Sequence, residues 1–229
     1  MIRAGRVTVD GRVATIGEQA DPVTARIAVD GVPLPVRPGL TYVLVNKPPG
    51  VISAATDPQG RPTVVGLVAA STRLYPVGRL DADSEGLILL TNDGTLTNLV
   101  THPSGGVTKT YVARVAGSPG TKTMRRLQTG VELDDGPARA LAARVVDRGR
   151  DSSMVELVMG EGRNREVRRL LAAVGHEVLQ LVRTAIGPLR DRELRPGSWR
   201  ALTTAEVRSL YAAAGATWED APEPLREEG

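Results

Sequence analysis

Apolar residues fall along this chain in three spacings, and each spacing predicts a different kind of element. Two unbroken runs, YVLV at 42–45 and LILLT at 87–91, read as buried strands. Alternation marks half-buried strands: Val7 with Val9, the ARIAVDG stretch at 25–31, KTYVARVAG at 109–117, and Met154 to Met159. In the 109–117 stretch, Tyr111, Ala113 and Val115 share one face and Thr110, Val112 and Arg114 the other. Steps of three and four put Val167, Leu170, Leu171 and Val174 on one helix face, which Gly175 ends. Thr203 and Glu206 form a capping box ahead of Val207, Leu210, Tyr211 and Ala214, and Thr95 caps a short helix that stops before Pro103. Strands with helices in irregular order predict an α+β fold.

The same pattern divides the chain. Residues 1–36 hold two short strands around an Asp10-Gly11 hairpin signal, too little to fold alone. Val32 to Gly39, with Pro33, Pro35 and Pro38, reads as a linker into a main domain at 37–215. Beyond it, 216–229 is an acidic, Pro-containing tail expected to be disordered. A length of 229 residues suits one small unit and one larger one. The tail sets Glu219, Asp220, Glu223, Glu227 and Glu228 against Arg226, so the formal net charge of +3 understates how basic the rest is. With no cysteine, disulfides, thiolate catalysis and cysteine metal sites are excluded, and a cytoplasmic setting is expected. His102 and His176 lie far apart and read as structural rather than as a metal pair. No apolar run reaches membrane-spanning length, so no membrane partner is expected, and a monomer is the default.

Candidate chemistry concentrates in YPVGRLDADSEGLILLTNDG at 75–94, where Asp81 closes a Gly-Arg-Leu-Asp turn just before a buried strand. Asp81, Asp83, Glu85 and Gly86 mimic the start of an EF-hand loop, but Leu89 and Asn92 then stand where ligands are needed. The Asp81-x-Asp83 pair resembles a phosphatase motif, yet such a pair should follow its strand, not precede it. A single nucleophilic Asp beside an Arg needs partners elsewhere. Three regions offer them: the Asn46-Lys47-Pro48-Pro49-Gly50 turn, Tyr111 on its strand, and the arginines 163, 165, 168 and 169 at a helix start, with Asn164 as a plausible cap. Each has an ordinary alternative. Arginine runs are usually solvated faces and strand tyrosines are usually core. Among six aromatics, two Trp and four Tyr, Tyr111 leads as a stacking platform.

Four blocks in order, NKPPG at 46–50, GRLDADSEGLILLTNDG at 78–94, KTY at 109–111 and EGRNREVRR at 161–169, resemble the ribosomal pseudouridine synthases of the RsuA/RluB group, closest to the RluB type. The resemblance implies a pseudouridine synthase fold, a mixed and mostly antiparallel sheet flanked by helices. Residues 1–36 resemble the C-terminal part of the alpha-L RNA-binding domain that precedes catalysis in the group; its leading helices are absent, so a truncated or decayed module is expected. Ser84 stands where the group usually has Thr. The implied activity is cofactor-free and metal-free isomerisation of a specific uridine in ribosomal RNA, most simply of the large subunit, or in a ribosomal assembly intermediate. Asp81 is then the carboxylate acting at C1′, as nucleophile or as base, with Arg168 as its ion-pair partner and Arg163 as second choice. Tyr111 stacks on the flipped uracil and relays the C5 proton, and Arg79 fills the gap the base leaves. Lys47 contacts RNA backbone or orders its loop; Lys109, Arg163, Arg165, Arg169, Arg6 and Arg12 complete the expected RNA contacts. Three rivals remain: a glycosidase pairing Asp81 with Asp83 or Glu85, a catalytically silent RNA-binding or ribosome-assembly protein, and a pseudouridine synthase acting on small-subunit ribosomal RNA.

Overall fold

The two unbroken apolar runs lie side by side in the middle of the sheet. In a computed structural model of the chain, which describes residues 1–20, 25–33, 39–70 and 72–216, β5 (Tyr42–Lys47) pairs antiparallel with β7 (Glu85–Thr91). Both strands are covered on both faces, which is why they read as continuous rather than alternating. Tyr42, Leu44, Leu87 and Leu89 enter one core with α1 (Gly94–Thr101) and α4 (Thr204–Ala213), while Val43, Val45, Ile88 and Leu90 enter a second with Val51, Val64 and Leu80. At about 2 kcal/mol per fully buried aliphatic side chain, Leu87 to Leu90 alone make β7 the anchor of this half.

The other half is built from alternating strands. β8 (Lys109–Ala116) pairs with β12 (Ser152–Met159), and β12 with β11 (Ala142–Arg148), all antiparallel. Their buried positions, Ala113, Val115, Val155 and Leu157 among them, pack against α2 (Thr121–Thr129) and α3 (Glu166–Ala173). Beside α3 lies a hairpin of β9 (Val131–Leu133) and β10 (Gly136–Ala138).

A strand without a clear period joins the halves. β13 (Val178–Ile186) pairs antiparallel with β8 and parallel with β7, the one parallel contact of the sheet. The order is β11-β12-β8-β13-β7-β5-β15, with β15 (Trp199–Ala201) on β5, β14 (Leu189–Arg190) on β13 and β6 (Tyr75–Val77) on β7. At the parallel seam the backbones come so close that a Cβ on Gly86 would lie 2.2 Å from the Arg183 carbonyl oxygen, and Gly86 also has φ of 106°. Only glycine fits there.

Residues 7–33 form a separate antiparallel sheet, β2-β1-β3-β4, from β1 (Val7–Val9), β2 (Arg12–Val13), β3 (Ile27–Val29) and β4 (Val32–Pro33). It has two more strands than Val7–Val9 and the 25–31 stretch alone, because Arg12–Val13 returns from the Asp10-Gly11 turn and Val32–Pro33 takes the start of the expected linker. Residues 34–38 of that linker and 217–229 of the acidic tail lie outside the described residues. The capping box on α4 forms as expected, with Thr203 and Glu206 bonding each other's backbone N–H. The cap of α1 is Asp93 rather than Thr95. Its carboxylate accepts from the Leu96 N–H and from the hydroxyls of Tyr42 and Tyr211 at 2.8 and 2.6 Å, which ties β5, α1 and α4 together in the core. Among the described residues no helix is long and apolar enough to cross a membrane.

Candidate active site

A cleft of about 400 Å³ lies over the seam, with Asp81 and Arg79 on one wall, Arg165 on the other and Lys109, Tyr111 and Arg183 beneath. Asp81 follows β6 in a tight loop, where its carbonyl accepts from Ser84 N–H at 3.0 Å. The loop is held from below. Lys47 is 0 % exposed, and its ammonium donates to the carbonyls of Pro48, Val51 and Ala82 at 3.0, 2.7 and 3.4 Å. Gly50 N–H donates to Ala82 as well, and Ser53 both donates to and accepts from the backbone of Leu80. Burial pushes the Lys47 ammonium down to about 8, against the pull of Asp83, Glu85 and Asp81 nearby. The expected contact of Lys47 with RNA backbone is therefore corrected: buried and fully engaged, it orders the loop that carries Asp81.

The ion-pair partner of Asp81 is a second correction. Arg165 Nη1 stands 3.4 Å from Asp81 Oδ2, and both its terminal nitrogens reach the Asp83 carboxylate at 3.2 Å. Neither Arg168 nor Arg163 pairs with Asp81. Arg168 turns under the loop, donating to the Asp83 carbonyl at 3.1 Å and the Val178 carbonyl at 3.3 Å, with Ser84 Oγ at 3.4 Å. The cause is local backbone. Arg165, not Asn164, occupies the N-cap of α3, and it does so with φ of 48°, a left-handed conformation that a non-glycine residue adopts at a cost. This turn swings Arg165 toward the cleft and leaves Arg168 one helical turn behind. The Arg165 guanidinium holds the Asp83 carboxyl below its ordinary value.

Two further arginines are struts. Arg163 donates to the Pro137 carbonyl at 2.8 Å and grips Glu161 through two bonds, which fixes the β9–β10 hairpin to the loop before α3. Arg169 makes a bidentate pair with Asp135 at 2.7 and 2.9 Å and bonds the Asn164 carbonyl. Both guanidiniums are thus engaged within the protein while remaining part-exposed. Lys109 is half-buried in the cleft, donates to the Val100 carbonyl at 2.8 Å, and is pushed down to about 8 by burial and by Arg183. Tyr111 packs at the meeting of two cores and its hydroxyl bonds none of the described residues. Arg79 is exposed at the rim and Arg12 is exposed on β2, each with a side chain that bonds no described residue. Arg6 is exposed but paired with Asp30. His102 bonds Ser104 and His176 the Ala116 carbonyl, both local contacts.

Two cleft residues escaped the sequence altogether. Glu166 is 4 % exposed: Oε2 accepts the Arg163 N–H at 3.1 Å, Oε1 has no partner, and burial raises its carboxyl from 4.5 to about 7. Arg183, on β13, lines the floor. A glutamate in the first turn of a helix and an arginine in a strand are common enough that nothing in their neighbours marks them.

Asp81 thus faces an arginine and a tyrosine in one cleft over a mixed sheet, and comparison with known proteins gives this arrangement its class. The model of the RNA pseudouridylate synthase family matches residues 41–173, and the chain belongs to that family. Within it the chain is of the RsuA/RluB type. It is 48% identical over 220 residues to an RNA pseudouridine synthase of Mycobacterium tuberculosis, covering 94% of this chain and 87% of that one. It is 42% identical over 219 residues to the ribosomal large subunit pseudouridine synthase B of Bacillus subtilis, covering 93% and 88%. Among solved structures, a pseudouridylate synthase superposes with a TM-score of 0.67 at 29% identity, covering 91% of this chain and 90% of that one.

Proposed function

We propose that this enzyme converts one uridine of large-subunit ribosomal RNA to pseudouridine, with Asp81 acting at C1′ of a nucleotide turned out of its helix. The likeness to large-subunit synthases of Bacillus subtilis and Salmonella typhimurium supports the substrate. The observation that carries the chemistry is Asp81 with Arg165 at 3.4 Å and Tyr111 in the same cleft.

The steps follow from those positions. The flipped uracil stacks on Tyr111, a contact of about 1–3 kcal/mol per base. Arg79 enters the vacated stack from the rim. Asp81, ion-paired with Arg165 at 3.4 Å, either attacks C1′ or removes the proton from C2′, and in both routes the N1–C1′ bond breaks. The base turns and C5 bonds C1′ as the Asp81 carboxylate leaves it or gives the proton back to C2′; the C5 proton then leaves by way of the Tyr111 hydroxyl and N1 is protonated. Residues 1–36 add a second, smaller RNA contact through Arg12.

Asp81→Asn removes the charge and keeps the shape. Pseudouridine mapping across ribosomal RNA from cells with this variant should lack one large-subunit position that wild type restores, while filter binding of the RNA changes less than threefold. Product at wild-type level would end the assignment of Asp81, and a lost position in small-subunit RNA would end that of the substrate.

A further inference from the structure

The floor of the cleft holds a cation that the steps above leave unused. Arg183 lies opposite Tyr111 on one side and Gly86 on the other, so its side chain rises beside the stacking ring at the seam. It is 4 % exposed. Nε donates to the Leu87 carbonyl at 2.7 Å, which fixes the guanidinium, yet Nη2 is buried with no hydrogen-bond partner and no carboxylate pairs with the group among the described residues. Its charge also disfavours the ammonium groups of Lys109 and, as the least of several causes, Lys47. A buried donor left idle beside two other cations destabilises the empty enzyme. Such an arrangement is complementary to an acceptor that brings negative charge into the cleft.

Pseudouridine formation creates such a group. When the N1–C1′ bond breaks, its electron pair stays on the base, and the detached uracil carries negative charge over N1, O2 and O4. We propose that Arg183 is a catalytic residue, its guanidinium donating to a carbonyl oxygen of the detached uracil and holding that anion while C5 turns toward C1′. This rests on the proposed function. Arg183 gives up no proton: the electron pair is used again when C5 bonds C1′, the C5 proton leaves, and N1 is protonated.

The test compares leaving groups. Unmodified large-subunit ribosomal RNA is transcribed with uridine or with 5-fluorouridine, whose base is a more acidic leaving group, and N1–C1′ cleavage is followed in single turnover. Arg183→Gln should slow uridine cleavage about 100-fold, as loss of one such donor does, and slow 5-fluorouridine cleavage at least tenfold less. Arg183→Lys, which keeps the charge, should recover part of the uridine rate. The uridine to 5-fluorouridine ratio is read within each protein preparation, so loss of folded material cancels. Equal slowing of both RNAs overturns the proposal, as does a fall of about one in the salt slope of RNA binding, which marks a phosphate contact instead. If wild type makes no pseudouridine in the uridine transcript, the proposed function fails first. If wild type makes it and the ratio does not move, only the role of Arg183 fails.

Discussion

The Asp81 loop and the Arg165 loop face each other across one cleft but are held by opposite means. The first rests on bonds to backbone, most of them partly or wholly buried: Lys47 on three carbonyls, Ser53 on Leu80, and, more exposed, Arg168 on the Asp83 carbonyl. The second rests on partly exposed ion pairs, Arg163 with Glu161 and Arg169 with Asp135, around a left-handed Arg165. Bonds from a buried charge contribute about 1.5–3 kcal/mol each, whereas exposed pairs contribute about 0–1 and weaken with salt. The carboxylate is thus set rigidly, and its guanidinium partner sits on a support that solution conditions adjust.

The largest break should come from Lys47→Met, which keeps the apolar stem and strips three carbonyls of their donor. We expect a loss of about 3 kcal/mol in urea unfolding, with turnover falling as the Asp81 loop loosens. A loss below 1 kcal/mol would mean that water replaces the ammonium and that the two loops are held alike.

The second loop has one buried group, Glu166, and it provides an intermediate effect. The folded protein binds its proton more tightly than the unfolded chain does, so the stability it contributes is full below pH 4.5 and drains away as pH rises to about 7. Glu166→Gln mimics the protonated form. It should remove a fall of about 3 kcal/mol in unfolding free energy between those pH values; an unchanged pH profile would place the proton elsewhere.

Asp135→Ala should give the smallest effect. Freeing Arg169 is expected to cost under about 1 kcal/mol and to raise the KM for ribosomal RNA less than threefold, with the difference vanishing at high salt. A large, salt-independent loss would show this support to be as rigid as the first.

The contrast also explains what was legible in the sequence. Buried strands announce themselves through apolar runs, so β5, β7 and the Asp81 turn between them could be read directly, as could β8, α3 and the α4 cap. Lys47 could not, because a lysine that satisfies three carbonyls looks like any lysine in a turn. The partner of Asp81 differs from the Arg168 that the resemblance implies because the turn before α3 is made by a left-handed arginine, and only glycine or asparagine would have signalled it. β13 escaped because its buried positions, Leu181, Arg183 and Ala185, include a charge where the pattern wants a side chain like leucine.

The Tyr211 bond to Asp93 spans 118 positions of sequence, and β15 and α4 complete the sheet and core begun by β5. A growing chain therefore makes Asp81 long before the elements that steady its half of the sheet. Until residue 211 has been synthesised, Tyr42, Leu44 and Leu89 lack their cover, and the partial product is sticky and without a finished cleft. Assembly of the Asp81 half of the sheet is thus coupled across segments synthesised far apart in time, and the cleft is finished only once α4 has been made.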